Sequence, residues 1–556
     1  MAELRAYEVL AQAFAAEGVD VHFSLLGDAN MYWATALTTR HGVRSIHARH
    51  EHSAVMMAIG YARAWNRVGV ASVTCGPGFT QIATALTVAA RGNVPLVVFV
   101  GETPLQAAYA TQYFDQPPLA AATGARYIQV HHIDRLLDGV REAFHCARLE
   151  SRPVVLGVPA DLQKQKFPHM VDYVPSLDYM PTPQRLSPNA ELVKRAADMI
   201  AAAERPIILA GRGAVRSGAG PALRALAGRS GALLATSLFG KGLFDEDPFS
   251  IGISGTFAGP VSREQFAESD LVIGVGASLS HFTAEAGYMY PGAQVIQMDT
   301  NPRGLWQGLR VADLYIQSDA LLAAEALDAE LAARSYSSTG ARTPELRQAI
   351  ADEARLPDAK HFDVQPGLID PRAALLEIDR VVPKDWNIVV GTGHVFTFVV
   401  THLRDRAPER WTVMSDFGVI GSALPAAIGV AAGRSDGKTL LLDGDGSFLM
   451  HASELETIRR QGIDMVIGIL NDGAYGTEVH RFRAEGLPEG EVVHGRGDLA
   501  AVARGFGLGG EKVTRLGEFG RLMRDHQASG TATLWDLHID DRIPSAQYRR
   551  IHYAEM

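Results

Sequence analysis

Apolar and polar residues alternate in blocks along the whole chain. Short runs rich in β-branched residues are apolar throughout, which is typical of parallel strands that are covered on both faces. Such runs predict strands at 70–75, 95–100, 153–158, 206–211, 271–276, 294–299, 386–391, 439–444 and 465–470. Segments with a helical period, such as ELVKRAADMIAAAE and SELETIRRQG, lie between them. This alternation predicts an α/β fold of doubly wound parallel sheets.

Two stretches interrupt the pattern and suggest linkers. Residues 166–188 are rich in proline and have no clear period, and the region 335–370 contains SYSSTGARTP and LPDAKHFDVQPG. A chain of 556 residues is too long for a single core. We therefore expect three α/β domains of ordinary size, at about 1–165, 185–335 and 360–556.

Charge and cysteine content narrow the class of protein. The formal net charge is -10 and is spread without a long basic run, which argues against a nucleic-acid partner. The two cysteines, Cys75 and Cys146, favour a reducing compartment. The first residues predict an amphipathic helix that ends near Gly18, and no apolar run reaches the roughly 20 residues that span a bilayer. We expect a cytoplasmic protein without a membrane partner.

The strongest chemical signal lies at residues 439–476. One buried strand ends at Gly444-Asp445-Gly446 and another ends at Asn471-Asp472-Gly473, so both polar turns emerge at the carboxyl edge of a sheet. A capping box of Ser453 and Glu456 is predicted to begin the helix between the two strands. Asp445 and Asp472 are 27 residues apart, which one strand–helix–strand unit covers. Two carboxylates and a main-chain carbonyl leave positions for phosphate oxygens around Mg²⁺.

This pair of turns resembles the thiamine diphosphate motif, in which GDG is followed about 27 residues later by an Asn/Asp pair. The resemblance implies that Asp445, Asp472 and the main-chain carbonyl of Ala474 hold Mg²⁺. It also implies that Gly446 and Ser447 bind the diphosphate. The family usually has Asn where this chain has Asp472. The alternative is that each Asp-Gly sequence is only a turn.

A second motif lies in the first domain, where HARHEHSAVMMAIGYARAWNRVGVASVTCGPG covers residues 47–78. It resembles the RHE segment and the later GPG of the acetolactate synthase, benzaldehyde lyase and pyruvate decarboxylase superfamily. The resemblance extends over most of the chain and implies a pyrimidine-binding, a central and a diphosphate-binding domain in that order. Glu51 would then hydrogen-bond the aminopyrimidine ring of the cofactor, beside Gly76 and Pro77. The alternative is an exposed glutamate without a role.

A third match is DFGVIGSALPAAIGVAAG at 416–433. In the family a bulky apolar residue between two glycines supports the bent cofactor, and Ile420 between Gly418 and Gly421 resembles it. Gly393 and His394 stand where the family binds the diphosphate. The alternative is that this segment is only the packed start of a helix.

Other positions concern the reaction. Asp28 in GDAN and Glu478 resemble active-site acids of pyruvate decarboxylases, whereas Gln116 resembles a glutamine of acetolactate synthases. The chain thus mixes features of two subfamilies, and we favour a 2-oxo acid decarboxylase or carboligase that resembles acetolactate synthase. A simple 2-oxo acid decarboxylase, and a C–C lyase or hydrolase acting on a diketone, remain alternatives. Both acids are alternatively surface residues.

The central domain carries two partial glycine loops, at 211–218 and 274–278. They lack the full dinucleotide fingerprint, so a structural domain is expected more than a site for FAD or ADP. An FAD-dependent 2-oxo acid oxidase and a catalytically silent structural homologue remain open. In the family the cofactor lies between two chains, which implies a homodimer or homotetramer acting on a small 2-oxo acid or related carbonyl substrate.

Overall fold

The computed structural model describes residues 4–182, 184–306, 309–434 and 436–555. Within them the chain forms three six-stranded sheets, each made only of parallel strand pairs. We call the parts that contain these sheets the first, central and third units. Helices surround each sheet, so the α/β fold class is confirmed.

The first unit carries the sheet of order β2-β1-β3-β4-β6-β5. Its strands are β1 Val21–Ser24, β2 Arg44–His47, β3 Gly69–Val73, β4 Leu96–Glu102, β5 Arg126–Gln129 and β6 Pro153–Pro159. Its helices are α1 Ala6–Ala16, α2 Met31–His41, α3 Glu51–Trp65, α4 Pro77–Thr80, α5 Ala83–Arg91, α6 Gln116–Thr123, α7 Leu136–Glu150 and α8 Ala160–Gln163. Strands β3, β4 and β6 are buried along their whole length, as their apolar sequences predict.

The central unit carries the sheet of order β14-β11-β10-β7-β8-β9 and a two-stranded antiparallel sheet, β12-β13. Its strands are β7 Pro206–Ala210, β8 Leu233–Thr236, β9 Ser250–Ile253, β10 Leu271–Val275, β11 Gln294–Asp299, β12 Leu305–Trp306, β13 Leu309–Arg310 and β14 Leu314–Gln317. Its helices are α9 Ala190–Ala202, α10 Arg212–Ser217, α11 Gly220–Ser230, α12 Pro260–Ala267, α13 His281–Ala284, α14 Ala320–Ala333 and α15 Pro344–Arg355.

The third unit carries the sheet of order β16-β15-β17-β18-β20-β19. Its strands are β15 Asn387–Val390, β16 Trp411–Val413, β17 Thr439–Gly444, β18 Val466–Asn471, β19 Gly509–Val513 and β20 Thr533–His538. Its helices are α16 Pro371–Val381, α17 His394–His402, α18 Ala423–Ala432, α19 Asp445–Leu449, α20 Glu454–Gln461, α21 Gly476–Glu485, α22 Leu499–Gly505, α23 Phe519–Ser529 and α24 Ala546–Tyr553. Short 3₁₀ turns lie at 133–135, 176–179, 238–240, 255–257, 285–287, 408–410 and 490–492.

Every strand predicted from an apolar run is present, within two residues at either end. The second predicted linker, 335–370, contains helix α15, which packs against the central unit through the buried Ile350. The predicted capping box is wrong: helix α20 begins after Ser453, but the Ser453 side chain makes no cap hydrogen bond and Glu456 bonds Arg460 instead.

Helices α3 and α18 join the first and third units with almost no space between their backbones. A Cβ on Gly60 would lie 2.1 Å from the carbonyl oxygen of Ala426, and one on Gly429 would lie 1.8 Å from that of Met57. Only glycine permits this approach, so both units share one apolar core. The contact fixes the first unit against the third within one chain.

Both cysteines are buried and free. Among the described residues, no helix combines the length and the apolar character that a membrane crossing requires.

Candidate active site

Two carboxylates lie side by side at the carboxyl edge of the third sheet. Strands β17 and β18 pair in parallel with Gly444 opposite Leu470, so the turns that follow them are neighbours. Asp445 is 1% exposed, and neither of its carboxylate oxygens has a hydrogen-bond partner among the described residues. Asp472 accepts a hydrogen bond from the Ala474 N–H at 3.2 Å. The sequence predicted this pair, and the structure brings it together.

The electrostatics of this pair suit a divalent cation. Burial raises the pKa of Asp445, and burial together with the charge of Asp445 raises the pKa of Asp472. Two neighbouring buried carboxylates repel each other, and a bound cation removes that cost. No group of three or more His, Cys, Asp or Glu side chains in the described parts of the chain is arranged to hold a metal. A metal here would therefore need the Ala474 carbonyl and oxygens from a ligand as well.

The turn after β17 is tied to the loop that carries Ile420. The Ser447 hydroxyl donates to Asp443 at 2.8 Å and accepts from the Gly421 N–H at 2.9 Å. Burial raises the pKa of Asp443 to about 7. A Cβ on Gly446 would lie 2.7 Å from the ring of Tyr475, so a larger residue does not fit there. The hydroxyl of Ser447 holds two loops together, and the first turn of α19 presents main-chain N–H groups.

Ile420 lies on a loop that glycines shape. Gly418 and Gly421 have φ values of 68° and 80°, in the left-handed region that glycine favours. A Cβ on Gly421 would also lie about 3 Å from Met450, at 3.0 Å from its sulfur. Helix α18 begins only at Ala423, so Ile420 precedes the helix instead of forming its first turn. Its half-buried side chain faces the same open space as Asp445.

His394 begins helix α17 and packs under the C-terminal helix. Its Nε2 accepts a hydrogen bond from the Ser545 N–H at 3.1 Å, so the other ring nitrogen carries the proton. The ring stacks on Tyr548 at 4.6 Å and meets His480 edge-on at 4.5 Å. Burial lowers the pKa of His394 well below its usual value, which keeps the imidazole neutral. Gly393 precedes it with a φ of 112°.

These residues share one large cleft of about 1610 Å³ that lies between the central and third units and is bordered by residues 91, 93 and 149–151 of the first unit. The third unit contributes Gly393, His394, Gly418, Ile420, Asp445, Gly446, Ser447, Asp472, Ala474 and Glu478 to its wall. Glu478 is exposed on helix α21. Every residue that the sequence assigned to the metal and diphosphate side therefore lines one space.

The central unit forms the opposite wall. The two partial glycine loops meet there: the Gly213 N–H donates to the Gly276 carbonyl at 2.9 Å, and a Cβ on Gly213 would lie 2.7 Å from Gly276 Cα. Arg212 lines the wall, with its guanidinium 4.0 Å from the ring centre of Phe239 and 3.6 Å from Asp416. This wall offers positive charge and close-packed backbone.

The predicted pyrimidine-side residues form a separate group in the first unit, outside the cleft. Glu51 is the first residue of α3, and its Oε1 lies 3.5 Å from the position of a Cβ on Gly78. Gly76 has a φ of 59°, and a Cβ there would lie 2.1 Å from the Gln112 carbonyl oxygen. Pro77 begins the short helix α4. Glu51 therefore faces the Gly-Pro-Gly loop of its own unit.

Gln116 and Asp28 border the same loop. The Gln116 side chain is 3% exposed, accepts from the Gly76 N–H at 3.2 Å and donates to Gly101 and the Tyr127 hydroxyl. Its amide is thus engaged within the unit, which favours support of the loop over contact with a substrate. Asp28 is exposed and lies near Cys75, since its charge adds to burial in raising the pKa of the Cys75 thiol. None of Asp28, Glu51, Gly76, Pro77 and Gln116 lines the cleft.

Sequence reasoning missed His494, which lies beside the carboxylate pair. Its Nε2 is 3.7 Å from Asp445 Oδ2. The main-chain N–H groups of His494 and Gly495 both donate to the Gly473 carbonyl, at 2.9 and 2.8 Å. A single histidine in a glycine-rich loop carries no pattern that would have identified it. Tyr548 was missed for a similar reason, because helix α24 has no motif.

Comparisons with known proteins cover most of the chain. Residues 4–122, 193–327 and 391–536 match the thiamine pyrophosphate enzyme N-terminal TPP binding domain, central domain and C-terminal TPP binding domain, respectively. The chain is 30% identical to a probable 2-ketoarginine decarboxylase of Pseudomonas aeruginosa, over 96% of this chain and 94% of that protein. It is 29% identical to the acetolactate synthase large subunit of Parasynechococcus marenigrum, over 95% and 86%. It is also 29% identical to the acetolactate synthase isozyme 2 large subunit of Escherichia coli, over 90% of each.

Proposed function

The chain belongs to the thiamine pyrophosphate enzyme family, and on that premise we propose which residues hold the cofactor and which act on the substrate. It is a thiamine diphosphate-dependent enzyme of the acetolactate synthase type, in the class of carboligases and decarboxylases. The further proposals are a Mg²⁺ ion, a 2-oxo acid substrate, a cytoplasmic location and a site shared by two chains. The two free, buried cysteines support a reducing compartment.

The buried, unpartnered carboxylate of Asp445 beside Asp472 carries the assignment of Mg²⁺. Asp445, Asp472 and the Ala474 carbonyl would supply oxygens to the ion, which leaves positions for diphosphate oxygens. The N–H groups of Gly446 and Ser447 would bind phosphate in the first turn of α19, and neutral His394 would border it. Because Asp472 is an acid and not an asparagine, its raised pKa favours the protonated form until a cation stabilises two negative charges at the site.

Thiamine diphosphate, when bound, supplies the nucleophilic carbon that attacks the carbonyl group of a 2-oxo acid. Glu51 would hold a proton at the pyrimidine ring, since it is the carboxyl that faces the Gly-Pro-Gly loop. Gly76 lacks the Cβ that would collide with the Gln112 carbonyl oxygen, and the Gln116 side chain holds the loop by accepting a hydrogen bond from the Gly76 N–H. Ile420, held between two glycines, would orient the cofactor by contact. Asp28 and Glu478 would move protons at the substrate.

A shared active site explains why the predicted residues fall into two groups. Exposed aromatic side chains on the loop after β4 lie on the side of the first unit that carries Gly76 and Gln116: Tyr109 is 82% exposed and Tyr113 is 73% exposed. Exposed apolar patches of this kind mark contacts between proteins. We propose that a second copy covers this loop and brings its own Asp445 cleft to Glu51, in a homodimer or homotetramer.

A direct test of the cofactor assignment is calorimetric titration of thiamine diphosphate with Mg²⁺ present and with EDTA. Binding that requires Mg²⁺, and that Asp445→Asn abolishes, supports the proposal. Equal binding with EDTA would contradict it. The substrate class is tested by incubating the loaded protein with a panel of 2-oxo acids and diketones. Carbon dioxide and the carbon products are measured together, which separates a carboligase, a simple decarboxylase and a diketone lyase or hydrolase.

The central wall of the cleft supports a second candidate, an FAD-dependent 2-oxo acid oxidase. The glycine loops 211–218 and 274–278 meet there beside Arg212. A yellow purified protein whose flavin is reduced by a 2-oxo acid would favour this reading. A colourless protein that releases carbon dioxide from a 2-oxo acid without added flavin would contradict it.

A further inference from the structure

A second, smaller cavity lies where the central unit meets the third unit. Its volume is about 60 Å³, and on the same measure a single water molecule requires ~10–15 Å³. It therefore suits a small ion of three or four atoms and excludes a nucleotide. Lys241 and Asp245, strand β9, Glu353 of helix α15 and Arg404 line it.

Lys241 is a buried cation without a hydrogen-bond partner. Its side chain is 6% exposed and its amine packs over the ring of Trp411 at 4.9 Å. In the described part of the chain no oxygen accepts a hydrogen bond from this amine, and no carboxylate oxygen lies within 4.0 Å of it. Buried charges in proteins are normally paired, and the contact with the Trp411 ring compensates the burial of this amine only in part. Burial lowers the pKa of Lys241 to about 8, and the charge of Asp245 offsets only part of this effect.

Arg404 adds a second cation to the same wall. It follows helix α17, and its main-chain N–H donates to Asp379. Its guanidinium has no hydrogen bond and no ion pair within 4.0 Å among the residues that the structure describes. Guanidinium groups favour planar oxyanions, which accept two parallel hydrogen bonds.

The acidic residues near the cavity are engaged elsewhere. Asp245 accepts from the Asp405 N–H at 3.0 Å, and Glu353 accepts from the Val261 N–H at 2.8 Å. Burial raises the pKa of Glu353, which favours its neutral form. The nearby Asp379 and Arg406 pair with each other. The charges of Asp245 and Lys241, and of Glu353 and Arg404, influence each other, but neither acid forms an ion pair within 4.0 Å with either cation.

We propose that this cavity binds one small monovalent oxyanion, of the class of formate or bicarbonate, between the amine of Lys241 and the guanidinium of Arg404. The anion supplies the acceptor that both cations lack. It joins the turn at 238–241 of the central unit to the end of helix α17 in the third unit. The site is a binding site only, and it does not depend on the reaction proposed above.

Crystals of the whole protein grown in sodium bromide test the proposal without any turnover. Bromide is a small anion whose anomalous scattering identifies it. The expected result is an anomalous peak in the cavity, within contact of Lys241 and Arg404. A map with no peak in this cavity at saturating bromide would overturn the proposal.

Binding in solution is tested by thermal-shift titration with sodium formate, at an ionic strength held constant with a bulky sulfonate that the cavity excludes. Formate is expected to raise the unfolding temperature of the wild type and of Lys512→Met, an exposed control. Lys241→Met and Arg404→Gln should weaken formate binding by at least about tenfold. Equal stabilisation of all four proteins would contradict the proposal. If Lys241→Met does not fold, the Arg404→Gln variant and the bromide map still test whether the cavity binds an anion.

Discussion

The first and third units have the same sheet order but carry different functional residues at the carboxyl edges of their sheets. The two orders, β2-β1-β3-β4-β6-β5 and β16-β15-β17-β18-β20-β19, correspond strand for strand. The edge of the third sheet holds the buried Asp445 beside the half-buried Asp472, whereas the edge of the first presents Glu51 beside a Gly-Pro-Gly loop. One topology thus supports a turn with two neighbouring carboxyl groups in one unit and a single carboxyl group in the other.

This difference shows that the residues at the sheet edge, and not the fold, determine the chemistry of each unit. A parallel sheet provides turns at its carboxyl edge, and the residues in those turns decide what is bound. Here the two edges do not face the same cleft within one chain. Each is half of what the proposed chemistry requires, and changes in each half should have different consequences.

The largest expected effect comes from the third unit. Asp445→Asn removes one of two repelling buried carboxylates, so the cofactor-free protein should gain about 1–3 kcal/mol of stability. The same change should weaken Mg²⁺-dependent binding of thiamine diphosphate on the order of 100-fold. Denaturant unfolding and calorimetry measure the two effects, with the exposed Asp172→Asn as the control. A variant that is less stable and binds normally would remove the metal assignment.

A change at Glu51 in the first unit should lower turnover and leave the binding of thiamine diphosphate almost unchanged. Glu51→Gln preserves the shape of the side chain and removes the carboxyl group that we propose holds a proton, so we expect kcat to fall by about 10²–10⁴-fold. The dissociation constant of thiamine diphosphate should change by only a few-fold. Steady-state kinetics and calorimetry check this, with the exposed Glu491→Gln as the control. Near-normal kcat would discard the role of Glu51.

Asp28 and Glu478 belong to different groups, and each should affect the later step of the reaction. Asp28→Asn and Glu478→Gln are expected to slow release of the carbon product by about tenfold while carbon dioxide release changes less. Rapid quenching of a single turnover, with the rate of each product followed separately, measures the difference, because at steady state the two rates are tied by stoichiometry. Unchanged single-turnover rates for both products in both variants would show that these acids only line the site.

The smallest effect concerns the contact between the units within one chain. His52 and His451 stack at 5.1 Å, and burial lowers their pKa values to about 3 and about 4. Between pH 6.5 and 4 the unfolded chain therefore binds protons that the folded chain does not, so stability is lost as the pH falls through this window.

His52→Gln should reduce this slope by at most ~1.4 kcal/mol per pH unit. Urea unfolding across the window measures it. The exposed His361→Gln should leave the slope unchanged. A slope that is the same in His52→Gln and the wild type would show that the stacked pair does not couple to protonation.

Long apolar runs allowed most strands to be predicted from the sequence, whereas short or polar strands were not predicted. Strand β1, VHFS, contains the buried His22, which hydrogen-bonds Ser45 and Ser72, so its polarity hid it. Edge strands such as β19, GGEKV, are half exposed and lack an apolar run. Tertiary partners, which no local pattern records, decide both cases.

The same limit applies to the site. Asp445 and Asp472 were predictable because each follows an apolar strand directly, and strand pairing then makes them neighbours. His494 reaches Asp445 through a loop that is held by the Gly473 carbonyl, a contact without any sequence signal. The separation of Glu51 from the cleft within one chain also required coordinates.

The central claim is that Glu51 of one chain acts with Asp445 of another. Glu51→Gln and Asp445→Asn, each inactive alone, can be mixed under conditions that exchange subunits. A mixed dimer would contain one site with both changes and one with neither, so random mixing should restore about a quarter of wild-type activity. Activity that stays at the level of the separate variants, although mass spectrometry shows mixed dimers, would contradict the shared site.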